Sequence, residues 1–225
     1  MNVCLYCYKQ LEKPLTWSNW LTVEKSPVLC SSCADKLEII SGERCEGCSR
    51  EWSGKMCLDC QQWRELGDNI EKNYSIFRYN DSIREMISQW KFRGDYILRE
   101  IFRSDLKKAF ETQFAEKHSA IAIVPVPLSE KRMQERGFNQ SQALAEMLDT
   151  PVKQVLARRS GEKQAINDRK TRLKRDNPFY ITEPLHQTAL IVDDIYTTGT
   201  TVRQAAQQLK LHGCPAVYAL TVARS

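Results

Sequence analysis

Apolar residues in the last two thirds of the chain recur with two different periods. Ile83, Met86, Ile87 and Trp90 fall at i, i+3, i+4 and i+7, the stripe of an amphipathic helix. A second helix carries Leu98, Ile101, Phe102, Ala109 and Phe110, and a third, from Phe138 to Leu148, turns Ala143, Leu144, Met147 and Leu148 inward. Ala120 to Val124 (AIAIV) and Ala189 to Val192 (ALIV) are instead short unbroken apolar runs, which a strand needs when both its faces are covered. Thr200 to Leu211 predicts a helix burying Val202, Ala205, Ala206 and Leu209, with Gly213 just beyond it where a left-handed cap is wanted. Val217 to Val222 (VYALTV) reads as the last strand. Strands separated by helices of these lengths imply an α/β fold, a parallel sheet with right-handed crossovers and helices on both faces.

The first 63 residues show little of this periodicity and hold eight of the nine cysteines. They are predicted as a separate module, 1–63, ahead of an α/β domain, 64–225. Cys4 and Cys7, Cys30 and Cys33, Cys45 and Cys48, and Cys57 and Cys60 all have CxxC spacing. Two intervening residues let one tight knuckle aim both sulfurs at a single ion, and two knuckles complete a tetrahedron. Eight ligands therefore suggest two closed zinc sites that hold structure and do not catalyse. Sequential pairing places Cys4, Cys7, Cys30 and Cys33 in one site and Cys45, Cys48, Cys57 and Cys60 in the other. Interleaved pairing, disulfides and an iron–sulfur cluster are the rival readings. Cys214 reads as a small buried residue behind a helix.

Composition narrows the setting. A chain of 225 residues has room for one ordinary domain and a small extra one. With 42% hydrophobic and 27% charged residues it is globular rather than disordered or fibrous. Its longest apolar stretch, Ala120 to Leu128, is broken by two prolines and falls short of a bilayer span. Met1 to Tyr8 lacks the basic start and apolar core of a signal peptide. A cytoplasmic protein is expected, where paired cysteines favour metal over disulfides.

The net charge is +5, but it is unevenly placed. Lys153, Arg158, Arg159, Lys163, Arg169, Lys170, Arg172, Lys174 and Arg175 face only Glu162 and Asp168, a local excess of +7. Single-stranded nucleic acid is the polyanion expected to meet this segment, through sequence-independent phosphate contacts. The alternative is a loop that closes over the pyrophosphate of a small ligand.

The densest chemistry lies in Ile191-Val192-Asp193-Asp194-Ile195-Tyr196-Thr197-Thr198-Gly199-Thr200-Thr201. A buried strand delivers two adjacent carboxylates, and a hydroxyl-rich turn then enters a helix. Such a turn presents backbone amides at a positive helix end, a ready phosphate site. The carboxylates suit sugar hydroxyls, or a magnesium ion carrying pyrophosphate. This stretch resembles the phosphoribosyl pyrophosphate (PRPP) motif of type I phosphoribosyltransferases. The resemblance implies that Asp193 and Asp194 bind the ribose, while Thr197, Thr198, Gly199, Thr200 and Thr201 wrap the 5′-phosphate.

A second element, Val124-Pro125-Val126-Pro127-Leu128 followed by Lys131, Arg132 and Arg136-Gly137-Phe138-Asn139-Gln140, narrows the match, with Arg78-Tyr79, Lys91-Phe92-Arg93-Gly94-Asp95, Gln164 and Arg172. Taken whole, the chain resembles the ComF family of competence proteins, end to end. That resemblance implies a phosphoribosyltransferase-like domain behind a zinc-ribbon module. It also implies a cytosolic factor importing single-stranded DNA with the helicase-like ATPase ComFA, open to recruitment by the membrane uptake machinery. Lys131, Arg132 and Arg136 would form the pyrophosphate loop, and Gln164 to Arg172 the mobile loop. Magnesium would accompany PRPP, and a dimer would be in keeping with type I enzymes. Family members often carry Asn shortly after Arg172, where this chain has Arg175, with Asn177 nearby.

No general base stands out. His118, His186 and His212 share no spacing, and no base-recognition hood is legible. The sequence is therefore read first as a module binding single-stranded DNA and a PRPP-like ligand during DNA import. The alternative is an active phosphoribosyltransferase of nucleotide metabolism. Exposed aromatics for base stacking would be sought at Phe138, Trp52 and Trp63.

Overall fold

The structure is a computed structural model, and it describes residues 3–11, 27–114, 120–159 and 177–225. In chain order the elements are α1 (Ser31–Ala34), α2 (Leu58–Glu65), β1 (Asn73–Arg78), α3 (Asp81–Phe92), a 3-10 turn (Tyr96–Arg99), α4 (Glu100–Phe114), β2 (Ile121–Pro125), α5 (Glu130–Arg136), α6 (Gln140–Ala145) with a 3-10 turn (Glu146–Leu148), β3 (Leu156–Arg158), β4 (Phe179–Ile181), β5 (Thr188–Tyr196), α7 (Thr200–Leu211) and β6 (Val217–Arg224). Four strands form a parallel sheet in the order β1-β6-β5-β2, and β3 pairs with β4 as a separate antiparallel ribbon.

The unbroken apolar runs follow from where this sheet sits. Along β5, Leu190 and Val192 join a core under α3, α4 and α6, while Ala189 and Ile191 join a second core under α7. Along β2, Ile121 and Ile123 face the first core and Ala122 and Val124 the second. Period-two alternation is therefore present, but both sides are apolar because both are covered. The predicted helix stripes are buried as expected: Ile83, Met86, Ile87 and Trp90 in α3, and Val202, Ala205, Ala206 and Leu209 in α7. Gly213 follows α7 at φ +99°, the left-handed cap. Cys214 is buried behind it, its thiol directed at the Gln187 and Ala216 carbonyls. No helix of the described residues is long and apolar enough to cross a membrane.

Two departures from the sequence expectation concern the site. Lys131, Arg132 and Arg136 do not lie on a loop. They lie on α5, which begins at a Ser129 side chain accepting from the Arg132 amide and ends at left-handed Gly137. The strand carrying ALIV also runs further than expected, so Asp193 and Asp194 belong to β5 itself.

The cysteine module packs onto both faces of the sheet. Cys4 and Cys33 share the core of Phe77 and Trp90, whereas Cys45, Cys48, Cys57 and Cys60 share the core of Tyr196 and Ala219. The segment between the two knuckle pairs covers the outer edge of β1: Arg78 N–H donates to Glu38 O, and Ile40 N–H to Ile76 O. An edge strand is thereby closed to other chains.

Candidate functional site

The eight cysteine sulfurs gather into the two sequential sets, Cys4, Cys7, Cys30 and Cys33, and Cys45, Cys48, Cys57 and Cys60, each with its sulfurs within 4.8 Å of one another. The Cys7 and Cys30 sulfurs are 3.6 Å apart and those of Cys48 and Cys57 3.7 Å. Tetrahedral zinc with bonds of about 2.3 Å places ligand sulfurs about 3.8 Å apart. A disulfide needs about 2.05 Å. The donor set fits zinc, and sequential pairing is the one the fold adopts.

The two knuckles are built alike. Tyr8 and Ser49, each following the second cysteine, sit at φ 62°, and each donates its amide back to the first cysteine's carbonyl. Cys30 and Cys57 both precede a helix with φ −71° and ψ 160°. Around the second set the Cys57 amide donates to Cys45 Sγ at 3.3 Å, and Arg224 reaches Cys48 Sγ at 3.9 Å, contacts that favour thiolate ligands.

Where β5 ends against α5 and α6, a cleft of about 160 Å³ opens. Asp193, Asp194 and Thr201 line it from one side, Arg132 and Arg136 from α5, Ser141 from α6, Lys91 from the end of α3, and Arg158 from β3. Ser141 Oγ donates to Asp193 Oδ1 at 2.8 Å, and Lys91 forms an ion pair with Asp194. Burial, reinforced by the neighbouring Asp194 charge, pushes the Asp193 carboxyl up to about 7. Burial also draws the Arg136 and Arg158 guanidinium groups down from their ordinary value, against the pull of Asp193 on both and of Asp194 on Arg136.

The turn after β5 stands beside these acids. Gly199 is left-handed at φ 78° and precedes α7, while the Thr198 and Thr200 hydroxyls bond each other at 2.9 Å. Among the described residues, no acceptor takes the amide hydrogens of Thr198, Gly199 or Thr201. The turn is open, not collapsed onto its own backbone. Thr197 and Thr198 are exposed and Thr200 half-buried.

Other expected residues are distributed unevenly. Lys131 is exposed on α5 away from the cleft lining. Arg158 lies in the cleft beside Asp193, and Arg159 lines a neighbouring groove with Glu130 and Tyr180. Lys153 covers the outer edge of β2, its amide donating to Ile123 O beside the Ile123–Val152 bridge. Lys163, Arg169, Lys170, Arg172, Lys174 and Arg175 lie outside the described residues, as do Gln164 and His118. Asn177 has a defined job: its amide donates to Gln204 O and Gln207 Oε1, and its oxygen accepts from Phe179 N–H, fixing β4 to α7.

The aromatics also sort out. Phe138 packs against Trp90 and Tyr96, with ring centroids 5.9 and 5.2 Å apart. Trp52 is half-buried against the second core. An exposed ring near the cleft is Phe92, 67% accessible, with the Arg136 guanidinium 5.5 Å from its centre. Sequence reasoning quoted Lys91 and Phe92 only as part of a family match. Lys91, ending a helix whose inner stripe is apolar, gave no sign that it meets an acid 103 residues away.

No family model matches the sequence. Among curated proteins the chain is 36% identical to the competence protein ComFC of Bacillus subtilis (strain 168), over 99% of this chain and 95% of that protein. It is 31% identical to ComFC of Streptococcus pneumoniae, over 98% and 99%. Against the DNA utilization protein YhgH of Salmonella typhi the identity is 28%, over 100% and 97%. Of solved structures, it is similar to a hypoxanthine phosphoribosyltransferase from Staphylococcus aureus at 15% identity and TM-score 0.35, covering 56% of this chain and 65% of that one. A purine phosphoribosyltransferase from Pyrococcus horikoshii gives 17% identity and TM-score 0.33, over 55% and 82%. Identity above 30% with two curated relatives, sustained over nearly the full length of both partners, means that the chain belongs to the ComFC family of competence proteins.

Proposed function

We propose that this protein acts in DNA uptake, binding a PRPP-type sugar phosphate in the β5–α7 cleft and single-stranded DNA on the basic surface beside it. One observation carries the ligand reading: a turn at the start of α7 whose amide hydrogens meet no acceptor among the described residues, next to two carboxylates ringed by cations. The amides of Thr198, Gly199 and Thr201 suit a 5′-phosphate. Asp193 and Asp194 suit ribose hydroxyls, and Arg132, Arg136 and Arg158 suit a pyrophosphate, which magnesium would accompany. Binding is the role assigned. The names of the relatives, competence protein and DNA utilization protein, support the DNA role. A ComFA-like ATPase is the partner proposed, with recruitment to the uptake machinery through it. The two-part division at about residue 63 separates metal module from ligand domain in sequence.

The deciding measurement is calorimetry with PRPP and magnesium, run with and without a single-stranded oligonucleotide. Micromolar PRPP binding is expected, altered by the oligonucleotide because Arg158 and its neighbours serve both ligands. If five phosphates are contacted, the log–log salt slope for the oligonucleotide should be roughly −3.5. A slope near zero removes the DNA reading, and pyrophosphate release with any nucleobase replaces binding by catalysis.

Proton linkage gives an independent check. Because the Asp193 carboxyl titrates near 7, it is largely protonated in the free protein at pH 6. A group raised in the folded state contributes stability at low pH and loses it as pH rises toward 7. A ribose whose hydroxyls donate needs the carboxylate, so PRPP binding should release a proton near neutrality. Affinity should rise between pH 6 and 8, and Asp193→Asn should flatten that rise. An unchanged pH profile in that variant rejects the assignment.

A further inference from the structure

The second knuckle set and the phosphate turn are joined by a chain of contacts that neither zinc binding nor phosphate binding requires. Cys57 precedes α2 and Cys60 lies within it; one turn later the same helix carries Trp63, and Asp68 follows three residues after its end at Glu65. Trp63 donates its indole N–H to the Thr198 carbonyl at 3.2 Å, across 135 residues. Asp68 takes a two-pronged ion pair from Arg203 of α7, both contacts at 3.0 Å. Arg203 is only 3% exposed; its guanidinium lies 4.7 Å from the Trp63 ring centre and bonds the Tyr196 hydroxyl. Tyr196 is the last residue of β5, so the turn is gripped at its start, middle and exit.

From these contacts we propose that Trp63 and Asp68 are positioning residues of the phosphate turn, and that the second zinc centre thereby sets the affinity of that turn for its ligand. The inference rests on the functional reading above, deepening it with a route of control. Holding the Thr198 carbonyl from outside turns that peptide so its own amide, and those after it, point toward the ligand. Zinc bound by Cys45, Cys48, Cys57 and Cys60 fixes the first turn of α2, and so fixes where the indole stands. Loss of that zinc frees the helix and, with it, the turn. Coupling between two sites is reciprocal, so a ligand that profits from ordered zinc must also retain it.

The test uses the full chain with both zinc ions bound. Trp63→Phe keeps the ring but removes the N–H donor, and one lost hydrogen bond corresponds to about fivefold weaker PRPP binding by calorimetry. Zinc content and oligonucleotide affinity should stay as in the parent. A second reading follows zinc release to a chromogenic chelator. In the parent protein PRPP should slow the loss of one of the two ions, and in Trp63→Phe that protection should shrink by the same factor. A merely structural tryptophan would not make zinc release depend on PRPP. If the variant loses zinc or folds poorly, Asp68→Asn, which touches neither knuckle, is read in the same way. PRPP binding unchanged in both variants, or zinc release indifferent to PRPP in a parent that binds it, overturns the coupling and leaves the functional reading standing. A parent that binds neither PRPP nor inorganic phosphate overturns both.

Discussion

Replacing Gly199 by alanine is expected to lower the melting temperature by about 10 °C and to remove detectable PRPP binding. Two costs add at this position. The residue sits at φ 78°, where an L side chain costs about 1–2 kcal/mol. A β-carbon there would also lie 2.1 Å from Arg203 Nη1, 2.2 Å from the Tyr196 hydroxyl and 2.5 Å from Tyr196 Cζ. Overpacking of this kind costs about 1–3 kcal/mol where neighbours can shift. Here they shift poorly: Arg203 is tied to Asp68 by two contacts, and the Tyr196 ring is buried beneath Arg224, whose guanidinium lies 5.0 Å from its centre. A total within about 2–5 kcal/mol corresponds to roughly 10 °C in a domain of this size. Displacing Arg203 would also disturb the turn that should hold the phosphate. Thermal unfolding and calorimetry on the same sample check both parts. A variant that melts and binds like its parent would show that the turn tolerates a side chain and is not shaped for close approach.

The apolar pattern revealed those elements whose side chains are apolar on every buried face. That is why β2, β5, α3, α7 and β6 could be placed from sequence. β1 escaped because its burial is partly polar. Asn73 and Ser75 are buried, but Asn73 donates to Ser75 Oγ, that hydroxyl bonds Thr221 at 2.6 Å, and the Ser75 amide donates to Ser49 Oγ. Satisfied polar groups cost little inside, and they erase the hydrophobic signature. α5 escaped for the opposite reason: none of its residues is buried, so no apolar stripe marked it. In the site, the acids and the threonine turn were legible because they are contiguous. Lys91, Ser141 and Trp63 were not, since each acts on a partner far along the chain. Arg158 carried a correct sign of charge, but only the fold could show that it faces the Asp193 cleft. The basic run thus contains at least one residue that lines the cleft of Asp193 and Asp194.

The largest effect of all is expected at the second knuckle set. Cys57→Ser should leave a chain with one zinc ion, no cooperative unfolding transition at 37 °C, and no PRPP binding. All four sulfurs of this set are buried, and they share a core with Tyr196, Ala219 and Leu209. Structural zinc contributes about 10 kcal/mol or more to the folding of its module. A domain of this kind has about 5–15 kcal/mol in total. Losing the ion therefore removes most of the margin, and it leaves thiols and Arg224 buried without their counter-charge. Cys30→Ser is the informative contrast. Cys30 and Cys7 are half-exposed, and their site lies across the sheet from α7. That variant should also bind one zinc ion and melt earlier, yet keep measurable PRPP binding, because Trp63, Asp68 and Arg203 remain anchored. Zinc content by atomic absorption, thermal unfolding and calorimetry separate the two. If Cys57→Ser folds and binds PRPP as well as Cys30→Ser does, the cysteine module is a covering of the sheet and not a support for its ligand site.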